Sequence, residues 1–178
     1  KYKFEDFKKD INRSIKIFEK KLNYNPMFFS YPFGEYSLEQ KKFISNKFDY
    51  AFGQHSGVID LNKDKYELPR FPINEKYGDL DRFNFLINLL PIQYKDLIPE
   101  DKFLLETNNP PSLIIEFFNE QTNISKINCF SNEGGEWKNS KLNYKDNKIE
   151  VVLTEKFLPR RGRINCSMKD NEGWRWFG

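Results

Sequence analysis

Few side chains in this 178-residue chain can do chemistry, and the scarcest is its single histidine, His55. It sits between Gln54 and Ser56-Gly57, just after a short apolar run. An imidazole in a strand-end loop can serve as a general acid, because its pKa lies near neutrality. A histidine satisfied by hydrogen bonds within its loop is the alternative. A catalytic zinc needs about three protein ligands, usually rich in His or Cys. One His and two Cys can hardly supply them, so no metal ligand is assigned in this chain. Arg70 ends an extended segment, where it can orient a reacting group or simply face solvent. Trp137, Trp174 and Trp176 offer rings for stacking on sugars, and Trp174 and Trp176 share one strand face by alternation. Aromatics at this density also build cores. Arg160, Arg161 and Arg163 form a basic turn that can meet an acidic polymer or remain solvated. Asn12, Asn123 and Asn165 begin glycosylation-type triplets, which carry little weight among so many asparagines.

Cys129 and Cys166 share the context Ile-Asn-Cys in strand-like stretches. If paired, they close a loop worth about 4 kcal/mol in the chain-entropy picture and imply an oxidising compartment. Two buried free thiols are the other reading.

The elements that must position these residues follow from periodicity. Phe4, Phe7, Ile11, Ile15, Phe18 and Leu22 recur at helical steps and define one apolar face, which ends at Asn25-Pro26. Met27 to Tyr31 is an apolar run that suits a buried strand. Ser37 followed by Gln40 is a capping-box pattern opening a helix with Leu38, Ile44 and Phe48. Asp49 to Gly53 reads as a second strand. Asp79 opens a third helix carrying Leu80, Phe83, Leu86, Ile87 and Leu90. Alternating strands and helices argue for part of a parallel α/β fold. Roughly two strands cannot cover a sheet or close a barrel, so the α/β part expects neighbours from elsewhere.

After Pro91 the character changes. Residues 92–111 read as a charged, proline-bearing linker. Short strand patterns follow at Leu113–Phe118, Ile124–Ser131, Ile149–Thr154, Arg163–Met168 and Trp174–Phe177. Turn signals at Gly134-Gly135, Asp146-Asn147 and Pro159 to Gly162 separate them, which suggests a small β-sandwich. The 38% hydrophobic content, rich in Phe, is that of a folded chain. Lys and Arg number 29 against 26 Asp and Glu, a net +3 too weak for a dedicated nucleic-acid binder. No apolar run of about 18 residues is present to span a membrane. The start at Lys1, with an amphipathic pattern at once, leads us to expect a mature or truncated chain.

The stretch Phe28-Phe29-Ser30-Tyr31-Pro32-Phe33-Gly34-Glu35-Tyr36 resembles the Tyr-Pro-Tyr-Gly-Glu-Tyr segment of NodB-homology polysaccharide deacetylases, carbohydrate esterase family four and its relatives. Ala51 to Gly57, Leu68 to Pro72 and Tyr77 to Phe83 resemble later family segments in the same order. The C-terminal region is similar to the β-rich appendage of an exported subgroup, at Cys129, Pro159 to Arg163, Asn165-Cys166 and Trp174 to Trp176. The resemblance implies the C-terminal part of a distorted (β/α) barrel over residues 1–91, then the linker at 92–111 and a β-sandwich accessory domain over 112–178.

It further implies hydrolysis of acetyl groups from an N- or O-acetylated polysaccharide, by an exported protein of the periplasm or extracellular space. A divalent metal of the zinc kind, held by Asp and His ligands, would activate the water. The segments bearing those ligands are absent here, so they and the rest of the barrel are expected in a missing N-terminal half. Of the residues present, the resemblance assigns an oxyanion-holding backbone N–H to Phe33. Tyr31, Pro32 and Gly34 would shape its turn and contact substrate, with Glu35 beside them. Many members carry Arg at the position of Ser30, and Arg70 is the expected substitute in orienting the catalytic acid. His55 is the candidate for that acid. Cys129 and Cys166 become an expected staple of the accessory domain. The competing expectation is a non-catalytic glycan- or protein-binding module built on a deacetylase remnant.

Overall fold

The first helix, α1 (Phe4–Leu22), forms where the apolar spacing predicts it. Glu5 and Asp6 lie in its first turn and Lys20 and Lys21 in its last, each complementing the helix dipole. Asn23 ends it in the left-handed conformation, φ 57°. The structure is a computed structural model that describes residues 3–118, 123–159 and 161–178. Arg160, part of the basic turn read from sequence, lies outside the described residues. Contacts divide the chain into two units: Lys1–Gln54 with Leu61–Leu68, and His55–Asp60 with Pro69–Gly178.

In the first unit, β1 (Phe28–Ser30) and β2 (Tyr50–Phe52) pair in parallel, with Phe29 opposite Ala51. Between them runs α2 (Leu38–Ser45), opened by the expected capping box. The Gln40 backbone N–H donates to Ser37 Oγ at 3.2 Å, and the Ser37 N–H to Gln40 Oε1 at 2.9 Å. Leu68 extends the pair with a parallel bridge to Phe52. Phe7 and Ile11 of α1 are buried with Tyr31, Ile44, Phe48 and Ala51 in one cluster. Ala51, the chain's only alanine, is fully buried where β2 faces the helices. Each buried Phe or Ile of the cluster contributes roughly 1.5–3 kcal/mol. Phe18 and Leu22, on the same face of α1, remain exposed.

The second unit contains α3 (Leu80–Ile87), whose N-cap Asp79 accepts from the Arg82 N–H at 2.8 Å. Its strands are β3 (Leu90–Pro91), β4 (Asp96–Ile98), β5 (Leu113–Glu116), β6 (Asn128–Ser131), β7 (Lys138–Asn139), β8 (Lys141–Lys145), β9 (Lys148–Val152), β10 (Ile164–Lys169) and β11 (Trp174–Phe177). One sheet has the order β3-β11-β10-β6-β7 and the other β4-β5-β9-β8. All pairings are antiparallel except β3 with β11. Cys129, Cys166 and Met168 of the first sheet share a buried cluster with Ile115, Ile149 and Val151 of the second. Alternation along β9 explains its part, since Ile149 and Val151 turn inward while Glu150 does not.

Cys129 and Cys166 face each other across β6 and β10, 4.0 Å apart at Cα, and form a disulfide. The expected turn at Asp146-Asn147 joins β8 to β9, with Asp146 at φ 52°.

The chain is thus mixed, with three helices and several sheets, and no barrel closes among the described residues. The stretch read as a linker carries β4, which pairs with β5. Contacts also group α3 and β3 with the later strands rather than with β1 and β2. An apolar helix face announces that it needs a partner, not which partner takes it. No described helix is long and apolar enough to cross a membrane.

Candidate functional site

The turn after β1 is built from strain that its neighbours hold in place. Pro32 fixes the entry of a short 3₁₀ turn, Pro32–Gly34. Phe33 inside it adopts the left-handed conformation, φ 58° and ψ 6°. That region costs an L-residue roughly 1–2 kcal/mol, and such outliers concentrate at functional sites. Phe33 is 62% exposed. Gly34 follows at φ 71°, and a Cβ there would come within 2.5 Å of the Gln54 backbone N. The turn after β1 thus lies against Gln54, two residues past the end of β2. Both parallel strands send their carboxyl ends to one edge, where α/β folds place ligands. The Gly34 N–H donates to Tyr31 O at 2.8 Å and the Glu35 N–H to Pro32 O at 3.2 Å, closing the turn.

Tyr31 is buried under it, its hydroxyl donating to Tyr66 O at 3.1 Å. Its ring stacks on Tyr36 with centroids 4.5 Å apart. The Tyr36 hydroxyl donates to Glu67 Oε2 at 3.1 Å. Lys41 Nζ reaches the same oxygen at 3.1 Å and Asp64 Oδ2 at 2.8 Å. Burial, reinforced by the negative charges of Asp64 and Glu67, pushes the Tyr31 hydroxyl pKa well up. Burial and Glu67 do the same to Tyr36. For Lys41 burial works against the charge, but Asp64 and Glu67 outweigh it and keep the ammonium charged. Glu35 is exposed beside this network and Ser30 is exposed at the strand end.

His55 and Arg70 belong to the second unit. The Arg70 backbone N–H donates to His55 O at 3.0 Å, so the two expected partners are tied through their backbones. The His55 side chain is half-buried and Arg70 is exposed.

No family model, curated protein or solved structure matches the chain.

Tyr31, Pro32, Phe33, Gly34 and Glu35 form one turn in the first unit, and His55 and Arg70 one backbone-paired segment in the second. Among the described residues, no three His, Cys, Asp or Glu side chains gather to hold a metal. Both cysteines are consumed by the disulfide. None of the described residues is therefore assigned to the divalent metal expected of the full-length protein.

Of the tryptophans, Trp137 is 49% exposed and Trp174 42%. Trp174 meets Phe85 edge-on and carries Lys169 Nζ over its ring. Trp176 is half-buried, and its Nε1–H donates to Ser56 O at 3.2 Å. Sequence reasoning missed Tyr36, Lys41, Asp64 and Glu67 as a unit. No short-range signal marks them, because Glu67 lies 31 residues from Tyr36 and 26 from Lys41. It also missed Glu133, a 3% exposed carboxylate whose Oε2 accepts the Thr154 and Glu155 backbone N–H groups at 2.6 Å.

Proposed function

We propose that this chain is part of a hydrolase that removes acetyl groups from an N- or O-acetylated polysaccharide. The observation that carries the reading is the left-handed backbone of Phe33 in the Tyr31-Pro32-Phe33-Gly34 turn. It occurs at the residue to which the family resemblance assigns the oxyanion donor. A fixed, strained backbone suits that role, because a preorganised N–H stabilises developing charge without reorganising during the reaction. One such donor contributes about 3 kcal/mol to lowering the barrier.

In the proposed reaction water adds to the acetyl carbonyl, whose oxygen becomes the oxyanion held by the Phe33 N–H. The bond from the acetyl carbon to the sugar nitrogen or oxygen then breaks. His55 gives its proton to the departing amine or alkoxide, and acetate leaves. Arg70 orients His55, while Tyr31, Pro32 and Gly34 hold the turn and Glu35 touches the sugar. A divalent metal, when bound, would supply water activation, with ligands and a base from outside the described residues. Residues 112–178 would be the β-sandwich accessory domain of a deacetylase exported to the periplasm or beyond.

A second reading, a non-catalytic glycan-binding module, draws on the exposed rings of Trp137 and Trp174. Acetate release from an acetylated N-acetylglucosamine polymer separates the two. The first reading expects acetate. Binding of the polymer without acetate from any acetylated substrate would support the second.

A further inference from the structure

The loop that carries His55 is tied down by the far end of the chain. The Trp176 indole N–H donates to Ser56 O at 3.2 Å, one residue after His55. The His55 carbonyl itself accepts the Arg70 N–H at 3.0 Å. Two consecutive carbonyls are thus held by two different segments. Further along the same loop, Gln93 Nε2 donates to Asp60 Oδ2 at 3.1 Å.

The packing is close as well as polar. A Cβ on Gly57 would lie 2.9 Å from Pro69 Cβ, and one on Gly178 would lie 2.2 Å from Ser56 O. The Trp176 ring meets Phe71 edge-on, with centroids 6.1 Å apart. Trp176 sits on β11, which is hydrogen-bonded between β3 and β10, and its own carbonyl accepts the Ile92 N–H at 3.3 Å. An indole N–H only donates, and when half-buried it needs an acceptor. Here the acceptor is the loop.

We propose that Trp176 is a positioning residue for His55: the last strand of the β-sheet fixes the backbone from which the imidazole projects. This rests on the reading of His55 as the proton donor. It makes the C-terminal strands part of the scaffold of that site rather than only an accessory domain. Sites held by locked supporting residues keep the geometry that catalysis needs.

His55 is the only histidine, so an imidazole NMR signal reports it alone. Trp176→Phe keeps an aromatic ring against Phe71 and removes the N–H. The expected result is a displaced His55 imidazole cross-peak and faster exchange of the Arg70 amide. The acceleration should be about five- to tenfold, the factor associated with one hydrogen bond. Trp174→Phe is the control on the same strand, since that ring meets Phe85 and Lys169 instead of the loop, and it should leave both signals in place. An unchanged His55 signal and Arg70 exchange rate in Trp176→Phe would overturn the proposal. So would an equal change in Trp174→Phe. If Trp176→Phe does not fold, exchange of the Trp176 indole N–H in the unaltered protein is the second measurement. Slow exchange, like that of the Arg70 amide, supports the anchored loop, and exchange at the rate of a free indole overturns it. Acetate release enters none of these readouts, so failure of the deacetylase reading would leave their outcome distinct.

Discussion

The Tyr36 hydroxyl donates to Glu67 Oε2 at 3.1 Å, joining residues 31 apart in the chain. Lys41 binds that same oxygen, so one carboxylate connects the segment after the Phe33 turn, the helix α2 and the segment before Leu68. A hydrogen bond to a charged group contributes about 1.5–3 kcal/mol, and Lys41 remains to pair with Glu67 when the hydroxyl is gone. Tyr36→Phe should therefore lose about 1–2 kcal/mol, read as a lower urea midpoint at neutral pH. An unchanged midpoint would mean that the bond contributes nothing to the fold.

The same tyrosines set an alkaline limit. Burial and nearby carboxylates raise the Tyr31 and Tyr36 pKa values above the usual value of about 10. A raised folded pKa gives stability that is full below the unfolded value and lost as pH rises through the folded one. Stability should fall above pH about 10, and less steeply in Tyr36→Phe. Urea titrations on both sides of that pH check it.

Glu133 sets an acid limit. Its burial pushes the carboxyl pKa up, but the Glu155 and Thr154 N–H groups, Lys138 and Ser131 together hold it below the usual range. A depressed folded pKa gives stability that is present above the unfolded value, about 4.3, and lost as pH falls through the folded one. Glu133→Gln should be less stable than the wild type at neutral pH. The gap between their thermal midpoints should close below pH about 4. A gap that stays constant with pH would contradict the assignment.

The disulfide joins positions 37 apart. In the chain-entropy picture that closure contributes about 4 kcal/mol. Cys129→Ala with Cys166→Ala should lose roughly that amount, less whatever the unfolded chain's residual structure offsets. The untreated protein in denaturant should show no free thiol, and two free thiols would contradict the pairing.

Phe33 gives a sharper contrast. Phe33→Gly relieves the left-handed strain, and the extra freedom of glycine when unfolded offsets part of the gain, so stability should change by less than about 1 kcal/mol. Phe33→Val places a β-branched residue where such residues are outliers and should lose about 1–2 kcal/mol. Equal stability in the two variants would deny that the conformation is imposed.

Much of the fold was legible because its signals are local. The spacing from Phe4 to Leu22, the Ser37/Gln40 capping box and the Asp146-Asn147 turn each contain their own instruction. The strand β8 was missed because Lys141, Asn143 and Lys145 mask the alternation of Leu142 and Tyr144, of which only Leu142 is even half-buried. The strand β4 was missed because Asp96 and the flanking charges resemble a linker, and its structure comes from pairing with Ile114 to Glu116. At the site, Gly34 was legible as a turn residue. The positive φ of Phe33 was not, since a bulky residue rarely adopts that region and no local signal announces it. The Tyr36–Glu67–Lys41 network was invisible because tertiary structure alone brings it together.

Acetate measurement tests the proposed deacetylation most directly. The protein would be incubated, with divalent ions added, with an N-acetylglucosamine polymer and an O-acetylated one. Acetate should appear from at least one, with one free amine or hydroxyl for each acetate. His55→Gln should lower that rate by about 10²–10⁴-fold, the range of a lost general acid. No acetate from either polymer, or an undiminished rate in His55→Gln, would contradict the account.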